Sequence, residues 1–352
     1  MSWDRAPIDL AQIEEASPSV ETERGITYRQ AIKEALTQAL AMDDRVFIMG
    51  EGVDDAAGIF GTTLGLQEEF GEERVFDVPI AENGITGVAT GAALAGMYPI
   101  VVHQRMDFLL LAMDQIVNHA AKWHYMFGGK VSVPLTIRSI IGGGWGSAAQ
   151  HSQSLQGLFL HVPGLKIVMP STPYDVKGLL ISSIFDRNPI IFIEHRWLYD
   201  NTGHVPEEAY RLPIGKGAIL RKGTDLTIVA VSYLVPEAMK AAATLEREGV
   251  DVEVVDPRTL KPLDEAIILK STNKTGRLVV ADIAWKTGGV SAEIAALIAE
   301  KASPCLKVPI KRVTLPDVPT PASSELENVF YPREPEIISA SREVLSFNSQ
   351  SK

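Results

Sequence analysis

The chain has 352 residues, with 44 acidic and 33 basic side chains and a formal net charge of −11. At roughly 150 residues per domain, this length predicts about two domains. The negative charge disfavours nucleic acid as a partner, because a polyanion would be repelled. The single cysteine, Cys305, excludes an intramolecular disulfide framework and a cysteine-rich metal cage. A reducing, cytoplasmic location is therefore expected.

Residues 1–25 are strongly acidic, unlike a secretory signal or a transit peptide. We expect them to form a flexible acidic extension. Further along, residues 85–102 carry no charge, which is nearly the length of a membrane span. Gly87, Gly91, Gly96 and Pro99 interrupt this stretch and favour a tightly packed buried helix instead. A membrane is not an expected partner.

The first predicted element is a helix from residue 28 to about residue 41. Thr27 and Gln30 have the spacing of a capping box at its start. Short apolar runs without alternation follow, at 46–49, 75–78, 99–102, 131–137, 165–169 and 189–193. Such runs are typical of strands that are buried on both faces of a parallel sheet. Residues 26–200 are therefore predicted to form one α/β domain.

Residues 201–223 are rich in glycine and proline and have neither helical nor strand periodicity, which predicts a linker. A second, smaller α/β domain is predicted over residues 224–345. Its expected strands lie at 226–231, 252–255, 278–281 and 310–314, and its expected helices at 236–248 and 291–301. The predicted fold class is thus α/β, with two open, mostly parallel sheets.

The sequence lacks the motifs of several common kinds of binding and catalytic site. Gly50 and Gly52 imitate a dinucleotide fingerprint, but Asp55 stands where the third glycine should be and would repel a pyrophosphate. The seven histidines lack metal-ligand spacing, and no serine-hydrolase elbow is present. The glycine-rich stretch 142–146 predicts a mobile, accessible loop with unusual backbone angles.

Glu82 lies just after the predicted strand 75–78 and just before a glycine-rich helix. Ligands of open α/β sheets bind at such strand ends, although a helix N-terminus also favours an acidic residue for electrostatic reasons alone. The pattern Glu82-x4-Gly87-Val88-x2-Gly91 resembles the glutamate motif of thiamine-diphosphate enzymes. The whole chain resembles beta subunits of the decarboxylating components of 2-oxoacid dehydrogenases, of the pyruvate, branched-chain and acetoin type. Further matching stretches are 112–122, 125–129, 148–153, 163–166, 255–264 and 309–312.

This resemblance implies a transketolase-like pyrimidine-binding domain followed by a transketolase C-terminal domain. It implies that Glu82 hydrogen-bonds the aminopyrimidine of thiamine diphosphate, and that Phe108 stacks on that ring. It also implies that His151 acts during acyl transfer to a lipoyl group. The implied reaction is oxidative decarboxylation of a small 2-oxoacid, or cleavage of acetoin.

The resemblance also implies partners and metal ions. The chain has no Gly-Asp-Gly motif, so an alpha subunit must hold the diphosphate and Mg²⁺, in an α2β2 heterotetramer that serves a lipoyl acyltransferase core. The positions that match the ligands of a structural potassium ion are Leu135, Ser183, Ile184, Asp186 and Asn188. The alternative interpretation of residues 186–189 is a turn at the entry of a strand.

His103 and Arg105 depart from the family pattern and are candidate substrate contacts, since a cation near the cofactor could recognise a carboxylate. Arg105 could instead pair with Asp107 or with an acidic residue of the alpha subunit. Two other classes of protein stay open. One is the carboxy-terminal half of a split transketolase, and the other is a non-catalytic partner subunit.

Overall fold

A computed structural model describes residues 24–347. The expectation for the acidic extension lies outside the described residues, except for its last two positions. The strands are β1 (Gly25–Thr27), β2 (Val46–Gly50), β3 (Val75–Asp77), β4 (Tyr98–His103), β5 (Thr136–Ile141), β6 (Lys166–Val168), β7 (Ile190–His195), β8 (Thr202–His204), β9 (Ala218–Arg221), β10 (Leu226–Ala230), β11 (Val252–Asp256), β12 (Thr259–Lys261), β13 (Leu278–Trp285) and β14 (Lys311–Leu315).

The helices and single turns are α1 (Tyr28–Met42), α2 (Gly58–Gly61), α3 (Leu66–Phe70), α4 (Glu82–Leu94), α5 (Met106–Leu109), α6 (Ala121–Met126), α7 (Gln156–Leu160), α8 (Pro173–Ile184), α9 (Leu234–Glu246), α10 (Glu265–Thr275), α11 (Val290–Lys301), α12 (Ser324–Phe330) and α13 (Glu334–Ser346). A π-helical segment, Gln115–Ala120, precedes α6, and 3₁₀ turns lie at Leu110–Ala112, Arg196–Leu198 and Ser303–Cys305.

Helix α1 confirms the first sequence prediction. The backbone N–H of Thr27 donates to Gln30 Oε1 at 2.8 Å, and the backbone N–H of Gln30 donates to Thr27 Oγ1 at 3.3 Å. This reciprocal pair satisfies donors that the first turn of a helix cannot satisfy by itself. Ile32 and Leu36, one turn apart, are completely buried and anchor α1 in the core.

Within the described residues, the larger sheet has the strand order β12-β6-β7-β5-β4-β2-β3. All neighbours in it are parallel except β12, which runs antiparallel to β6. The predicted run 131–137 was wrong at its start, because β5 begins only at Thr136. Pro134 has no N–H to give to the sheet, and Val133 bonds instead to the carbonyl of Arg187 at 3.0 Å.

The second sheet has the order β14-β13-β10-β11-β9, with parallel neighbours except for the antiparallel edge strand β9. Both predicted sheets, and the α/β class, are therefore confirmed. The prediction that residues 201–223 contain no strand was wrong, since β8 and β9 lie there. Both are short edge strands, and β8 pairs only with β1, so neither needs the long apolar runs that mark buried strands.

The interpretation of the charge-free stretch 85–102 as a helix holds only for its first part, whereas the strand predicted at 99–102 is confirmed. The stretch contains most of α4, a turn and most of β4. Gly96 makes the turn with a φ of +95°, a conformation that L side chains rarely adopt. Among residues 24–347, no helix combines the length and apolar character needed to cross a membrane.

Strands β5 and β7 are joined by a buried ion pair as well as by their ladder. Arg138 Nε donates to Glu194 Oε1 at 2.6 Å and Nη2 to Glu194 Oε2 at 3.0 Å, and both side chains are completely buried. Tyr199 donates a further hydrogen bond to Glu194, and Thr62 Oγ1 accepts one from Arg138, each at 3.0 Å. Each buried charge would strongly destabilise the fold without the opposite charge beside it.

We predict that Arg138→Met destabilises the fold by about 3–5 kcal/mol, because it leaves the Glu194 carboxylate buried without its cation. Chemical denaturation would measure this change in the free energy of unfolding. The double variant Arg138→Met/Glu194→Leu is the matched control, and it should recover much of the loss. Equal destabilisation by the single and the double variant would contradict the coupling.

Candidate active site

The parallel strands of the larger sheet end at one edge, and this edge gathers chemically active side chains. Glu51 follows β2, Glu82 follows β3 after a short loop, and Arg105 follows β4. Gly142 follows β5, and Arg196 follows β7. Because the carboxyl ends of parallel strands form the usual ligand crevice of open α/β sheets, this edge is the candidate active site.

Glu82 is the first residue of α4 and is 5% exposed. Within residues 24–347, no side chain or backbone group donates a hydrogen bond to its carboxyl group. Glu51 lies nearby, and its Oε1 is buried without a partner. Burial, followed by the negative charges of Glu82 and Asp77, raises the pKa of Glu51. Glu51 was not predicted from the sequence, although its position directly after an apolar strand was the available signal.

Phe108 and His151, predicted separately, are brought together by the fold. Their ring centroids lie 5.1 Å apart at an interplanar angle of 80°. Asp107 holds this arrangement, because its Oδ1 accepts from Gln153 N at 3.2 Å and from Gln153 Nε2 at 2.9 Å. These bonds fix the segment that carries His151 against α5, and the Phe108 ring stays 36% exposed beside it.

Arg105 is placed differently from the predicted pairing with Asp107. Its Nη1 donates to the carbonyl of Gly142 at 3.2 Å, while Asp107 is bonded by Gln153. Burial lowers the pKa of Arg105, and the charge of Asp107 opposes this shift only in part. Among the described residues, no carboxylate forms an ion pair with Arg105. Pairing with an acidic residue of a partner stays a prediction.

His103 is buried below α4. Its Nε2 lies 3.2 Å from Thr86 Oγ1, and its side chain is only 2% exposed. Burial lowers its pKa to about 4, so the imidazole is neutral near pH 7. This burial favours a packing role for His103. Its contact with a substrate stays a prediction.

The glycine-rich loop 142–146 is tied to its surroundings through its backbone. Trp197 Nε1 donates to the carbonyl of Gly143 at 3.1 Å, and the N–H of Gly144 donates to Glu327 Oε1 at 2.9 Å. The predicted unusual backbone angles are confirmed, with a φ of +121° at Gly144. The predicted accessibility holds for Trp145, which is 83% exposed, and for Gly146, but it is wrong for Gly142 and Gly143, which are buried, and the mobility of the loop stays a prediction.

The residues predicted to hold potassium are Leu135, Ser183, Ile184, Asp186 and Asn188, and they lie around the turn before β7. Asp186 Oδ2 accepts from Lys166 at 2.5 Å, and Oδ1 accepts from the backbone of Asn188 at 2.8 Å. The carbonyl of Leu135 accepts the N–H of Ile190. The carbonyl of Ser183 accepts the N–H groups of Phe185 and Asp186. This arrangement supports the alternative of a turn that is satisfied without an ion. The potassium site stays a prediction.

Two family models match the chain. The pyrimidine-binding domain of transketolase matches residues 24–202, and the C-terminal domain of transketolase matches residues 215–337. The chain therefore belongs to the transketolase-like family. A solved structure of a split-gene transketolase, an inactive beta4 tetramer, shares the fold with a TM-score of 0.74. It is 23% identical and covers 92% of this chain and 99% of its own.

Curated relatives define the branch of the family. The chain is 45% identical to the beta subunit of acetoin:2,6-dichlorophenolindophenol oxidoreductase of Bacillus subtilis, over 92% of this chain and 98% of that protein. The beta subunit of the pyruvate dehydrogenase E1 component of the same organism is 44% identical. The beta subunit of its 2-oxoisovalerate dehydrogenase is 42% identical. Each of these last two matches covers 92% of this chain and 99% of the relative.

We predict that His103 makes the fold less stable as the pH falls from about 6.5 towards 4. In this window the imidazole of His103 is protonated in the unfolded chain but stays neutral in the folded chain. The free energy of unfolding therefore rises with pH. For each unit by which the pH falls, the free energy of unfolding of the His103→Asn variant should decrease by about 1 kcal/mol less than that of the natural chain. Denaturation at about pH 6 and about pH 5 measures the difference. The same substitution at the exposed His161 is the control for the loss of a surface imidazole.

Proposed function

We propose that this chain is the beta subunit of the decarboxylating component of a 2-oxoacid dehydrogenase complex, active together with an alpha subunit. The position of Glu82 at the carboxyl edge of the parallel strands and the contact of Phe108 with His151, in segments that follow two other strands of that sheet, carry the proposal. The relatives that are 42–45% identical are beta subunits of such dehydrogenases or of an acetoin oxidoreductase. A split transketolase is the weaker candidate, since its likeness to this chain is 23% identity.

The residues present fit the aminopyrimidine half of thiamine diphosphate. The Glu82 carboxyl group has no hydrogen-bond donor among residues 24–347 and can accept one from a ligand. The partly exposed ring of Phe108 offers an apolar face for a planar heterocycle. When bound, thiamine diphosphate supplies the electron sink that decarboxylation of a 2-oxoacid requires.

Glu82 would bind a ring nitrogen of the aminopyrimidine and hold or transfer a proton at its carboxyl oxygen. Glu82 is only 5% exposed, and the exclusion of most water strengthens such a hydrogen bond. Glu51 adds to the negative field on this side of the site, since the two carboxyl groups interact. Any positive charge that develops on a bound ring would be stabilised by that field.

His151 would act on the acyl group and on the lipoyl sulfur. Its ring meets Phe108 edge-on, so it stands next to the proposed aminopyrimidine position while its own segment is fixed by Asp107. An imidazole next to a reacting group can act as a general acid or a general base. The acceptor, under this proposal, is a lipoyl group carried by an acyltransferase core.

An alpha subunit is needed for the rest of the site. The chain lacks a Gly-Asp-Gly motif, and within residues 24–347 no cluster of three or more histidine, cysteine or acidic side chains could hold a metal. We therefore assign Mg²⁺ and the diphosphate to the alpha subunit of an α2β2 heterotetramer. Potassium near Asp186 and Asn188 belongs to the same proposal, as do the domain limits 26–200 and 224–345.

The outer face of α4 is a suitable surface for a partner subunit. Val88 is 65% exposed there, and a Cβ at Gly91 would meet no atom within 4 Å. Other exposed apolar residues of this region are Ile80, Leu110, Leu111, Tyr125, Met126 and Phe127. An apolar surface of this kind marks a protein interface, and glycine on a helix allows close approach of another backbone.

We predict that Glu82→Gln in the assembled enzyme lowers turnover of its best 2-oxoacid by at least about 100-fold, because proton transfer by a positioned acid is worth that much. The thermal midpoint and assembly with the alpha subunit should not change. Steady-state kinetics on the reconstituted heterotetramer measures the effect.

The matched control for Glu82 is Glu265→Gln. Glu265 also stands in the first turn of a helix, but it is exposed and forms an ion pair with Lys301 far from the strand edge. It should leave turnover unchanged. Near-normal turnover of Glu82→Gln would remove Glu82 from the mechanism.

We predict that His151→Ala slows transfer of the acyl group to a lipoyl domain by at least about 10-fold, since the proton donor next to the acyl group is lost. Single-turnover measurements of decarboxylation and of lipoyl reduction separate the two steps. His161→Ala, ten residues away on the surface, is the control. If neither step slows in His151→Ala, the assignment of His151 is wrong.

A further inference from the structure

A second polar cluster lies beside the Phe108–His151 pair, around the backbone of Gly142, Gly143 and Gly144. Arg105 and Arg196 approach this loop from the ends of β4 and β7. Arg105 bonds to the carbonyl of Gly142 at 3.2 Å, and a Cβ added at Gly144 would clash with Arg196 Nη2. The two guanidinium groups therefore reach the same short stretch of backbone.

The C-terminal half of the chain closes the cluster. Tyr331 follows α12, and its hydroxyl would clash with a Cβ at Gly143. Glu327, one turn earlier, accepts the N–H of Gly144 at 2.9 Å. The indole of Trp145 covers Arg196, with 3.9 Å between Arg196 Cζ and the ring centroid. The loop is thus enclosed from both halves of the chain.

Several hydrogen-bonding groups in this cluster are buried. They are Arg196 Nη1, Tyr331 Oη, Ser152 Oγ and Thr320 Oγ1. Arg196 is 9% exposed, and the other three side chains are at most 3% exposed. The hydroxyl groups of Ser152 and Thr320 lie next to that of Tyr331, and each can act as its donor or acceptor. Arg196 Nη1 is therefore the donor in this cluster that lacks a candidate partner within the described residues. An unsatisfied buried donor is costly unless a ligand or water completes it.

The charges in the cluster are also unbalanced. No carboxylate within residues 24–347 forms an ion pair with Arg105 or Arg196. The carboxylate whose charge acts on Arg196 is that of Glu327, and its Oε1 accepts the N–H of Gly144. Burial, followed by the positive charge of Arg105, lowers the pKa of Arg196 to about 10. Arg105 and Arg196 are thus two largely buried cations without a carboxylate partner in the described part of the chain, an arrangement that an anion would complete.

We propose that Arg105, Arg196 and Tyr331 form a binding site for an oxyanion, the carboxylate or phosphate group of a small molecule. Guanidinium groups present paired donors that match such oxygens. Arg105 stands one turn before Phe108, so the site adjoins the proposed catalytic residues. The anion can be the distal carboxylate of a dicarboxylic 2-oxoacid substrate, which rests on the proposed function, or a free anion that acts as an effector.

Binding is tested on the α2β2 heterotetramer with two probes, glutarate and inorganic phosphate, by thermal shift and by tryptophan fluorescence. At least one probe should raise the thermal midpoint of the natural enzyme. Arg196→Met and Arg105→Met should each weaken that binding by about 10-fold or more, the worth of one charged hydrogen bond. Arg342→Met is the control, because Arg342 pairs with Glu248 on an exposed surface. It should bind the probe as the natural enzyme does.

Kinetics then distinguishes the two sources of the anion. If the site holds the substrate, Arg196→Met lowers kcat/KM for 2-oxoglutarate but not for 2-oxoisovalerate. If it holds an effector, the variant loses binding of the probe without changing the preference between oxoacids. Failure of the proposed function would appear separately, as absence of oxoacid turnover in the natural enzyme.

Absence of binding by both probes, or binding that neither arginine variant weakens, would overturn the proposal. Arg196→Lys provides a second variant that keeps the charge but loses the paired donors, and it should bind with intermediate strength. If Arg196→Met fails to assemble with the alpha subunit, Arg105→Met decides the question alone.

Discussion

The alignment of β5 with β7, held by the buried Arg138–Glu194 pair, is the constraint on which the site depends. These strands end in the glycine-rich loop and in His195 and Arg196, respectively. A slip of one residue between them would turn each strand's side chains to the opposite face of the sheet. The ion pair opposes such a slip, because a shifted register would leave one charge in the core without its counterion.

The strand edge is divided electrostatically. Around β2 and β3 it is acidic, with Glu51, Asp77 and Glu82 interacting. Around β5 and β7 it is basic, with Arg105 and Arg196 at the glycine-rich loop. Phe108 and His151 lie between these regions. A cofactor ring held on the acidic side and an anionic substrate held on the basic side would meet at that pair, each in a field of opposite sign.

The periodicity of apolar residues predicted most of the parallel core, because strands buried on both faces must be apolar throughout. It missed β8, β9 and β12, which are short edge strands held by a few backbone bonds. Glu82 was predictable because it stands in a motif. Glu51 and Arg196 have no such motif. Their significance depends on which strands are neighbours, and the strand order cannot be inferred from local sequence.

Strand β12 has a consequence for motion in the protein. It comes after the second sheet has begun, yet Thr259 and Lys261 pair with Val168 and Ile167 at the edge of the first sheet. Rotation of one half of the chain against the other would have to break this ladder and the contact between Gly144 and Glu327. The two halves of the chain are therefore tied together by hydrogen bonds at the sheet edge and at the glycine-rich loop.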